Sequence, residues 1–135
     1  MSPEEDVRRN LQADLDGLAA ELGADKLLVA DEALERYSRD ETEDLRFLPA
    51  AVALPVSTEE VQTVLRFAFE HRIPVTPRGA GTGLSGGALA VAGGIVLSLE
   101  RMNRIREIDE RNLVAVAEAG VVTAPAPRPK YDPYA

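Results

Sequence analysis

The chain of 135 residues contains no cysteine and only one histidine, His71. Without cysteine it has no disulfide bond, iron–sulfur cluster or cysteine nucleophile of its own. A single histidine argues against a histidine-based metal centre, and we predict no metal site. No apolar run reaches the roughly 18 residues that a membrane-spanning helix needs, and the acidic first residues do not resemble a secretory signal. We therefore predict no transmembrane segment and expect a cytoplasmic location.

Aromatic residues are scarce, at 4%, and the formal net charge is −8. Residues 1–48 hold 14 acidic and 6 basic side chains and carry the whole excess, whereas residues 49–135 are neutral overall. A nucleic-acid partner requires a basic stripe, often with aromatic residues for base stacking. We therefore expect no nucleic-acid partner. A content of 45% hydrophobic residues is ordinary for a globular chain of one domain.

Composition divides the chain into three segments. Residues 1–48 are acidic and begin with an amphipathic helix over about residues 4–22, whose apolar stripe is Val7, Leu11, Leu15, Leu18 and Leu22. Residues 49–122 form the central segment. Residues 123–135 are rich in proline and fit neither a helix nor a central strand. Within the first segment, the acidic cluster over residues 40–44 is interpreted as a solvated loop rather than a metal site.

The central segment begins with a strand–helix–strand pattern. A short buried strand over residues 50–54 precedes a capping box with Ser57 at the N-cap and Glu60 three residues later. The helix is expected to reach about Arg72, with an inward face made of Val61, Val64, Leu65, Ala68 and Phe69. A second strand over residues 73–76 is bounded by Pro77. This spacing predicts a βαβ unit with parallel strands.

Two further elements follow a glycine-rich stretch. Residues 95–99 are predicted to form a buried strand, and residues 106–109 and 113–118 to form a hairpin with a turn at Glu110, Arg111 and Asn112. The predicted fold class is α+β: a βαβ unit with a glycine loop, extended by a strand and a hairpin and preceded by an amphipathic helix.

The glycine-rich stretch is the main chemical signal, since residues 79–94 hold seven of the ten glycines. A loop with little Cβ bulk lets backbone N–H groups converge on an anion, and glycine permits the positive φ angles that such a nest needs. Thr82 and Ser85 add hydroxyl donors, and Arg78 adds a positive charge. The ligand that suits this loop is a phosphate or pyrophosphate.

Three general interpretations of the loop are weaker. A glycine-rich turn without a ligand would cost much chain entropy for no gain. A Walker-type loop requires lysine and a hydroxyl residue after the last glycine, whereas Ala88 follows Gly87. Residues 81–86 match the dinucleotide fingerprint, and Glu100 lies about 20 residues onward. The stretch from Gly87 to Gly94 is nevertheless too short for the crossover helix of about 10–12 residues or more.

A longer pattern is more specific. Ile73 to Gly87, then Gly93 to Leu99, then Met102 to Ile105 closely resemble the N-terminal flavin-binding domain of FAD-linked oxidases of the vanillyl-alcohol oxidase and p-cresol methylhydroxylase type. Within that family the pattern is most similar to glycolate oxidase and its D-lactate dehydrogenase relatives. Supporting resemblances lie over residues 33–40 and 54–61 and at Gly120 to Val122, so that roughly residues 24–122 are covered.

The resemblance implies a cofactor, a site and a reaction. The cofactor is FAD, and residues 49–122 are the first part of its binding domain. The implied cofactor-binding residues are Pro77, Arg78, Gly79, Ala80, Gly81, Thr82, Gly83, Leu84, Ser85, Gly86, Gly87, Gly120 and Val121. The implied reaction is oxidation of a 2-hydroxy acid such as glycolate or D-lactate, with hydride transfer to flavin N5. No catalytic residue is predicted within this chain.

The chain also departs from the family. Members are several times longer, and their later segments complete the flavin site and supply the substrate site. Residues 123–135 do not follow the family pattern, which is compatible with a truncated, frameshifted or split gene product. We expect the chain alone to be catalytically incomplete, with a second chain completing the site and any membrane association made through partner subunits. The alternatives are a non-catalytic remnant or assembly partner and a module for another dinucleotide.

Overall fold

The computed structural model of the protein describes residues 3–39, 45–81 and 93–122. The described part is a mixed α and β structure, which confirms the predicted fold class. The acidic cluster over residues 40–44, the loop residues 82–92 and the tail 123–135 lie outside the described residues. The elements in chain order are α1 (Pro3–Leu22), a 3-10 helix (Ala24–Lys26), β1 (Leu27–Leu28), α2 (Asp31–Glu35), β2 (Ala51–Ala53), α3 (Thr58–Glu70), β3 (Val75–Arg78), β4 (Ile95–Ser98), β5 (Ile105–Asp109) and β6 (Val114–Ala117).

The main sheet has four strands in the order β1-β2-β4-β3. Strands β2, β4 and β3 are parallel, and β1 is antiparallel to β2. The prediction that the two strands flanking α3 run parallel is confirmed. They are not neighbours, however, because β4 lies between them and pairs Val96 with both Val52 and Thr76.

Pro77 does not bound the second strand of this unit, as expected from the sequence, but lies inside β3, which extends to Arg78. The register pairs Pro77 with Leu97 of β4. Proline is tolerated in an edge strand because its missing N–H costs no ladder hydrogen bond on the open side. In the described sheet β3 is paired on one side only, so this position accommodates proline.

The sheet separates two apolar clusters. Helices α1 and α3 cover one face, where the buried residues include Leu15, Leu18, Leu22, Val64, Ile95 and Leu97. The segment around α2 covers the other face, where the buried residues are Leu34, Tyr37, Val52, Leu54 and Val96. Because side chains alternate along a strand, β4 contributes Ile95 and Leu97 to the first cluster and Val96 to the second.

Helix α3 begins at the predicted cap. The Ser57 hydroxyl accepts a hydrogen bond from the Glu60 N–H at 3.2 Å. The Glu60 carboxylate accepts from the Val56 N–H at 3.4 Å, one residue before the position expected in a capping box. The cap thus satisfies two N–H groups at the start of the helix.

The inward face of α3 was predicted only in part. Val64 and Ala68 are buried, but Leu65 is 45% exposed and Phe69 is 85% exposed. Phe67 packs against the first cluster instead. Helix α1 lies along the Phe67 side of α3 and faces it across a groove. The position of α1 therefore determines that Phe67, rather than Phe69, packs against the first cluster.

Strands β5 and β6 form a separate two-stranded hairpin, as predicted. The Asp109 carboxylate accepts hydrogen bonds from the Asn112 N–H at 3.0 Å and from the Asn112 side-chain amide at 2.7 Å, which closes the turn. These bonds hold the pKa of Asp109 below its usual value. Within the described residues, no helix is both long and apolar enough to cross a bilayer.

Candidate functional site

The candidate site lies where the parallel strands β3 and β4 end. Arg78 and Ser98, the last residues of these strands, are register partners. Pairing continues one step further, since the Leu99 N–H donates to the Arg78 carbonyl at 2.8 Å. The chain then enters the glycine loop at Gly79. Ligands of parallel sheets characteristically bind outside the carboxyl ends of the strands, and the predicted loop emerges from this edge.

The structure brings the two separate parts of the predicted set together. An ideal Cβ on Gly79 would lie 3.8 Å from the carbonyl oxygen of Ala119, which directly precedes Gly120. The Gly120 N–H donates to the Met102 carbonyl at 2.8 Å, and a Cβ at Gly120 would overlap the Leu99 carbonyl. Glycine is therefore required at position 120 because the segment packs directly against the exit of β4.

The described residues of the predicted set are Pro77 to Gly81, Gly120 and Val121. Pro77 and Ala80 are exposed, and Val121 is half-buried. Gly81 adopts φ +74°, a left-handed conformation that favours glycine. The remaining predicted residues, Thr82 to Gly87, lie outside the described residues.

Arg78 is buried, with only 8% of its surface exposed. Its guanidinium carbon lies 5.5 Å from the centroid of the Tyr37 ring, and its Nη1 donates to the Tyr37 carbonyl at 3.5 Å. Gly81 is also close to this group, since a Cβ on Gly81 would overlap the guanidinium. The buried cation thus lies against both an aromatic ring and the first residues of the glycine loop.

Tyr37 and Glu100 belong to this arrangement but were not predicted as site residues. The Tyr37 hydroxyl donates to a Glu100 carboxylate oxygen at 2.7 Å, and the other oxygen of that carboxylate lies 3.4 Å from the Arg36 guanidinium. Burial, followed by the hydrogen bond to Glu100, raises the pKa of Tyr37 to about 12. The sequence places Tyr37 in a segment that resembles the family, but only the fold brings it to Arg78.

A second polar group is buried at the same edge. Ser98 is fully buried, and within the described part of the chain its hydroxyl has no hydrogen-bond partner. It follows Val96 by two residues, so its side chain points to the face covered by α2. A buried cation, an unsatisfied hydroxyl and a glycine backbone with a positive φ angle fit an anionic group such as a pyrophosphate.

A buried carboxylate holds the segment before Gly120. The Glu118 side chain is 6% exposed and accepts from the Arg104 N–H at 3.1 Å. The guanidinium groups of Arg104 and Arg106 lie 3.9 and 3.7 Å from its oxygens. Both arginines are exposed, and they neutralise Glu118. The groove between α1 and α3, which includes His71, is on the opposite face of the sheet.

The fold and the site define a flavin-binding domain, and comparison with known proteins agrees. Residues 49–128 match the family model described as FAD binding domain. The chain therefore belongs to this family, whose cofactor is FAD. The resemblance and the cofactor stated from the sequence are both confirmed, whereas the role of each loop residue stays a prediction.

Similar proteins are flavin-linked or hydroxy-acid oxidoreductases. The chain is 46% identical over 87 residues to the glycolate oxidase protein GlcD of Bacillus subtilis (strain 168), covering 64% of this chain and 18% of that protein. It is 40% identical over 103 residues to D-lactate dehydrogenase of Anaerostipes hadrus, covering 76% and 22%. Substrate-bound p-cresol methylhydroxylase superposes with a TM-score of 0.73 at 30% identity, covering 82% and 22%. The chain thus spans only about a fifth of the length of these proteins.

Proposed function

We propose that the chain binds FAD through the glycine loop and the segment at Gly120 and Val121. The main-chain N–H groups of residues 78–83 hold the pyrophosphate, residues 84–87 lie nearer the ribityl chain and the isoalloxazine, and Pro77 packs beside the flavin. Membership in the FAD binding domain family supports this assignment. So does the convergence of Gly79 with the segment before Gly120.

The observation that carries the proposal is the buried guanidinium of Arg78 against Gly81 at the end of β3. A guanidinium is always charged and presents several donors in a planar fork, which matches phosphate geometry. Together with the main-chain N–H groups proposed for the loop, Arg78 gives the ligand two kinds of hydrogen-bond donor. In a partly dehydrated site such charge-assisted hydrogen bonds are stronger than bonds between neutral groups.

We further propose that the whole protein oxidises a 2-hydroxy acid such as glycolate or D-lactate. When bound, the flavin supplies the hydride acceptor for the carbon that bears the hydroxyl group. This chain's own residues bind and orient that cofactor, and none is assigned to take the substrate proton. Substrate-binding and proton-abstracting groups, supplied by a further segment or a second chain, complete the site. A cytoplasmic location, with attachment to membranes through partner subunits, stays a prediction from the sequence.

The test is equilibrium binding of FAD by the purified 135-residue chain. Flavin absorbance is recorded after addition of FAD and desalting, and the dissociation constant is measured by flavin fluorescence. Gly81→Ala is the test variant, because its Cβ would overlap Arg78 at a positive φ angle. Gly17→Ala is the matched control, since a Cβ there meets no atom within 4 Å. We expect retained flavin in the unmodified chain and in Gly17→Ala, and roughly tenfold weaker binding or more in Gly81→Ala.

The other outcomes discriminate between the alternatives. A chain that is folded by circular dichroism but retains no FAD would contradict the proposal and favour a non-catalytic remnant or assembly partner. A rise in the unfolding midpoint with a nicotinamide dinucleotide but not with FAD would favour a module for that ligand, because a ligand of the native state stabilises it. Bleaching of bound flavin by glycolate or D-lactate would contradict the proposed catalytic incompleteness of the isolated chain.

A further inference from the structure

Tyr37 has a place in the fold that the proposed cofactor site does not explain. It follows the short helix α2, and only 3% of its surface is exposed. Its ring is contacted by two cations, since the guanidinium carbons of Arg36 and Arg78 lie 5.3 and 5.5 Å from its centroid. Such stacking on an aromatic face is favourable, and more so when water is excluded.

The contacts of Tyr37 restrict the Arg78 side chain from two directions. The ring faces the guanidinium, and the Tyr37 carbonyl accepts from Nη1 at 3.5 Å. Gly81 also lies against the guanidinium, which a Cβ at that position would overlap. An arginine that is already ordered loses less conformational freedom when a ligand binds, and this preorganisation increases affinity.

The ring is itself held in place by Glu100. The phenol hydroxyl donates to the carboxylate at 2.7 Å, and that carboxylate lies just beyond the end of β4. Tyr37 thus connects the segment after α2 to the exits of β4 and β3. A ring needed only to fill the apolar cluster would not require a partner at both its polar atom and its face.

We propose that Tyr37 is a positioning residue for the pyrophosphate of FAD: it holds the Arg78 guanidinium next to Gly81, where the glycine loop begins, and Glu100 fixes its ring. The inference rests on the proposed function, because it assigns Arg78 to the phosphates. Tyr37 itself is not assigned a contact with the cofactor. Its effect on binding must therefore pass through Arg78 and must depend on the phosphate groups of the ligand.

The first experiment compares FAD with riboflavin, which lacks both phosphates. Tyr37→Leu removes the aromatic face, whereas Tyr37→Phe retains it and loses only the hydroxyl. We expect Tyr37→Leu to weaken FAD binding about tenfold and to leave riboflavin binding unchanged. Tyr37→Phe should bind FAD nearly as tightly as the unmodified chain. Equal weakening for both ligands would overturn the inference, because it would mean a general loss of structure.

A double-mutant cycle tests the route through Arg78. Arg78→Met keeps an unbranched apolar stem of similar shape and removes the guanidinium and its charge. In this background Tyr37→Leu is expected to have no further effect on the dissociation constant for FAD. A further loss of about tenfold would show that Tyr37 acts independently of Arg78, and the inference would fail. Unfolding midpoints of all variants identify any that do not fold.

A flavin-independent measurement separates this inference from the proposed function. The Nε–Hε resonance of Arg78 is expected to show a ring-current shift in the unmodified chain and in Tyr37→Phe, and to move to its random-coil position in Tyr37→Leu. No change in that resonance overturns the inference even if FAD binds. The expected resonance changes in a chain that binds no FAD would instead show that the geometry is correct and the proposed function is wrong.

Discussion

The phenol of Tyr37 is buried beside a carboxylate, and both conditions favour its protonated form. Burial disfavours the phenolate, and the hydrogen bond to Glu100 stabilises the neutral hydroxyl, so that the pKa rises from 10.0 to about 12. An acid with a raised pKa keeps its proton in the native state at a pH where the unfolded chain has lost it. The contribution of Tyr37 to the free energy of unfolding is therefore fully present below pH 10 and is lost as the pH rises from 10 to about 12.

This ionisation is measurable by ultraviolet absorbance of the phenolate. The chain has three tyrosines, so Tyr131→Phe and Tyr134→Phe are combined to leave Tyr37 as the only signal. We expect a transition near pH 12 in this background. Glu100→Gln removes the negative charge and should lower the pKa, although burial, the larger cause, keeps it above 10. Titration at the ordinary value in both variants would show that the phenol is exposed.

The sequence predicts Arg78 as a site residue, but it does not predict that the side chain is buried against Tyr37. An arginine after proline and before glycine has the same local pattern in an exposed loop as in a binding site. Its environment depends on Tyr37, which is 41 residues away, and on Glu100, which follows a different strand. The glycine pattern, in contrast, is local, because it expresses a backbone requirement of the loop itself.

At the scale of the element, the end of α3 carries an avoidable strain. The Ile73 N–H donates to the Ala68 carbonyl at 2.8 Å and the Arg72 N–H to the Phe69 carbonyl at 3.3 Å, which forms a Schellman motif. The motif places Arg72 at φ +54°, where glycine is the usual residue. A side chain at this backbone angle is unfavourable because of the contact between its Cβ and the following carbonyl.

We therefore predict that Arg72→Gly raises the free energy of unfolding by about 0.5–1 kcal/mol. Arg66→Gly makes the same chemical change inside α3, at an exposed helical position, and should lower it by about 1 kcal/mol. Urea unfolding followed by circular dichroism measures both. Opposite signs for the two variants confirm the prediction, and a loss of stability in Arg72→Gly would contradict it.

Elements with a local cause were predictable from the sequence, and their arrangement was not. The stripe of α1 and the cap at Ser57 depend on residues close in the chain, and both elements are present. The insertion of β4 between β2 and β3, the place of Pro77 within β3 and the exposure of Phe69 depend on which surfaces meet. The residues near Phe69 do not indicate that α1 covers the Phe67 side of α3, because α1 is distant in the sequence.

At the scale of the whole molecule, one apolar cluster joins residues from both sides of position 48. Leu18 of α1 belongs to the same cluster as Val64 of α3 and Ile95 of β4. In addition, β1 pairs with β2 and extends the main sheet. The segment boundaries expected from composition, 1–48, 49–122 and 123–135, stay predictions, and the first of them is crossed by this cluster. The stability of α1 and that of the sheet edge that carries the glycine loop should therefore be coupled.

We predict that Leu18→Ala lowers the free energy of unfolding by about 2–5 kcal/mol, the usual range for a buried leucine, since Leu18 is 1% exposed. Leu65→Ala on the exposed side of α3 is the control and should cost much less.

Hydrogen exchange of the amides of β4 provides the decisive measurement, because these amides exchange through global unfolding when the core is cooperative. If the described part of the chain unfolds as one cooperative unit, Leu18→Ala accelerates exchange in β4. The loss of opening free energy calculated from that exchange then equals the loss of unfolding free energy measured in urea. Faster exchange confined to α1, with β4 unchanged, would mean instead that the helix opens by itself and that the edge bearing Arg78 is stable without it.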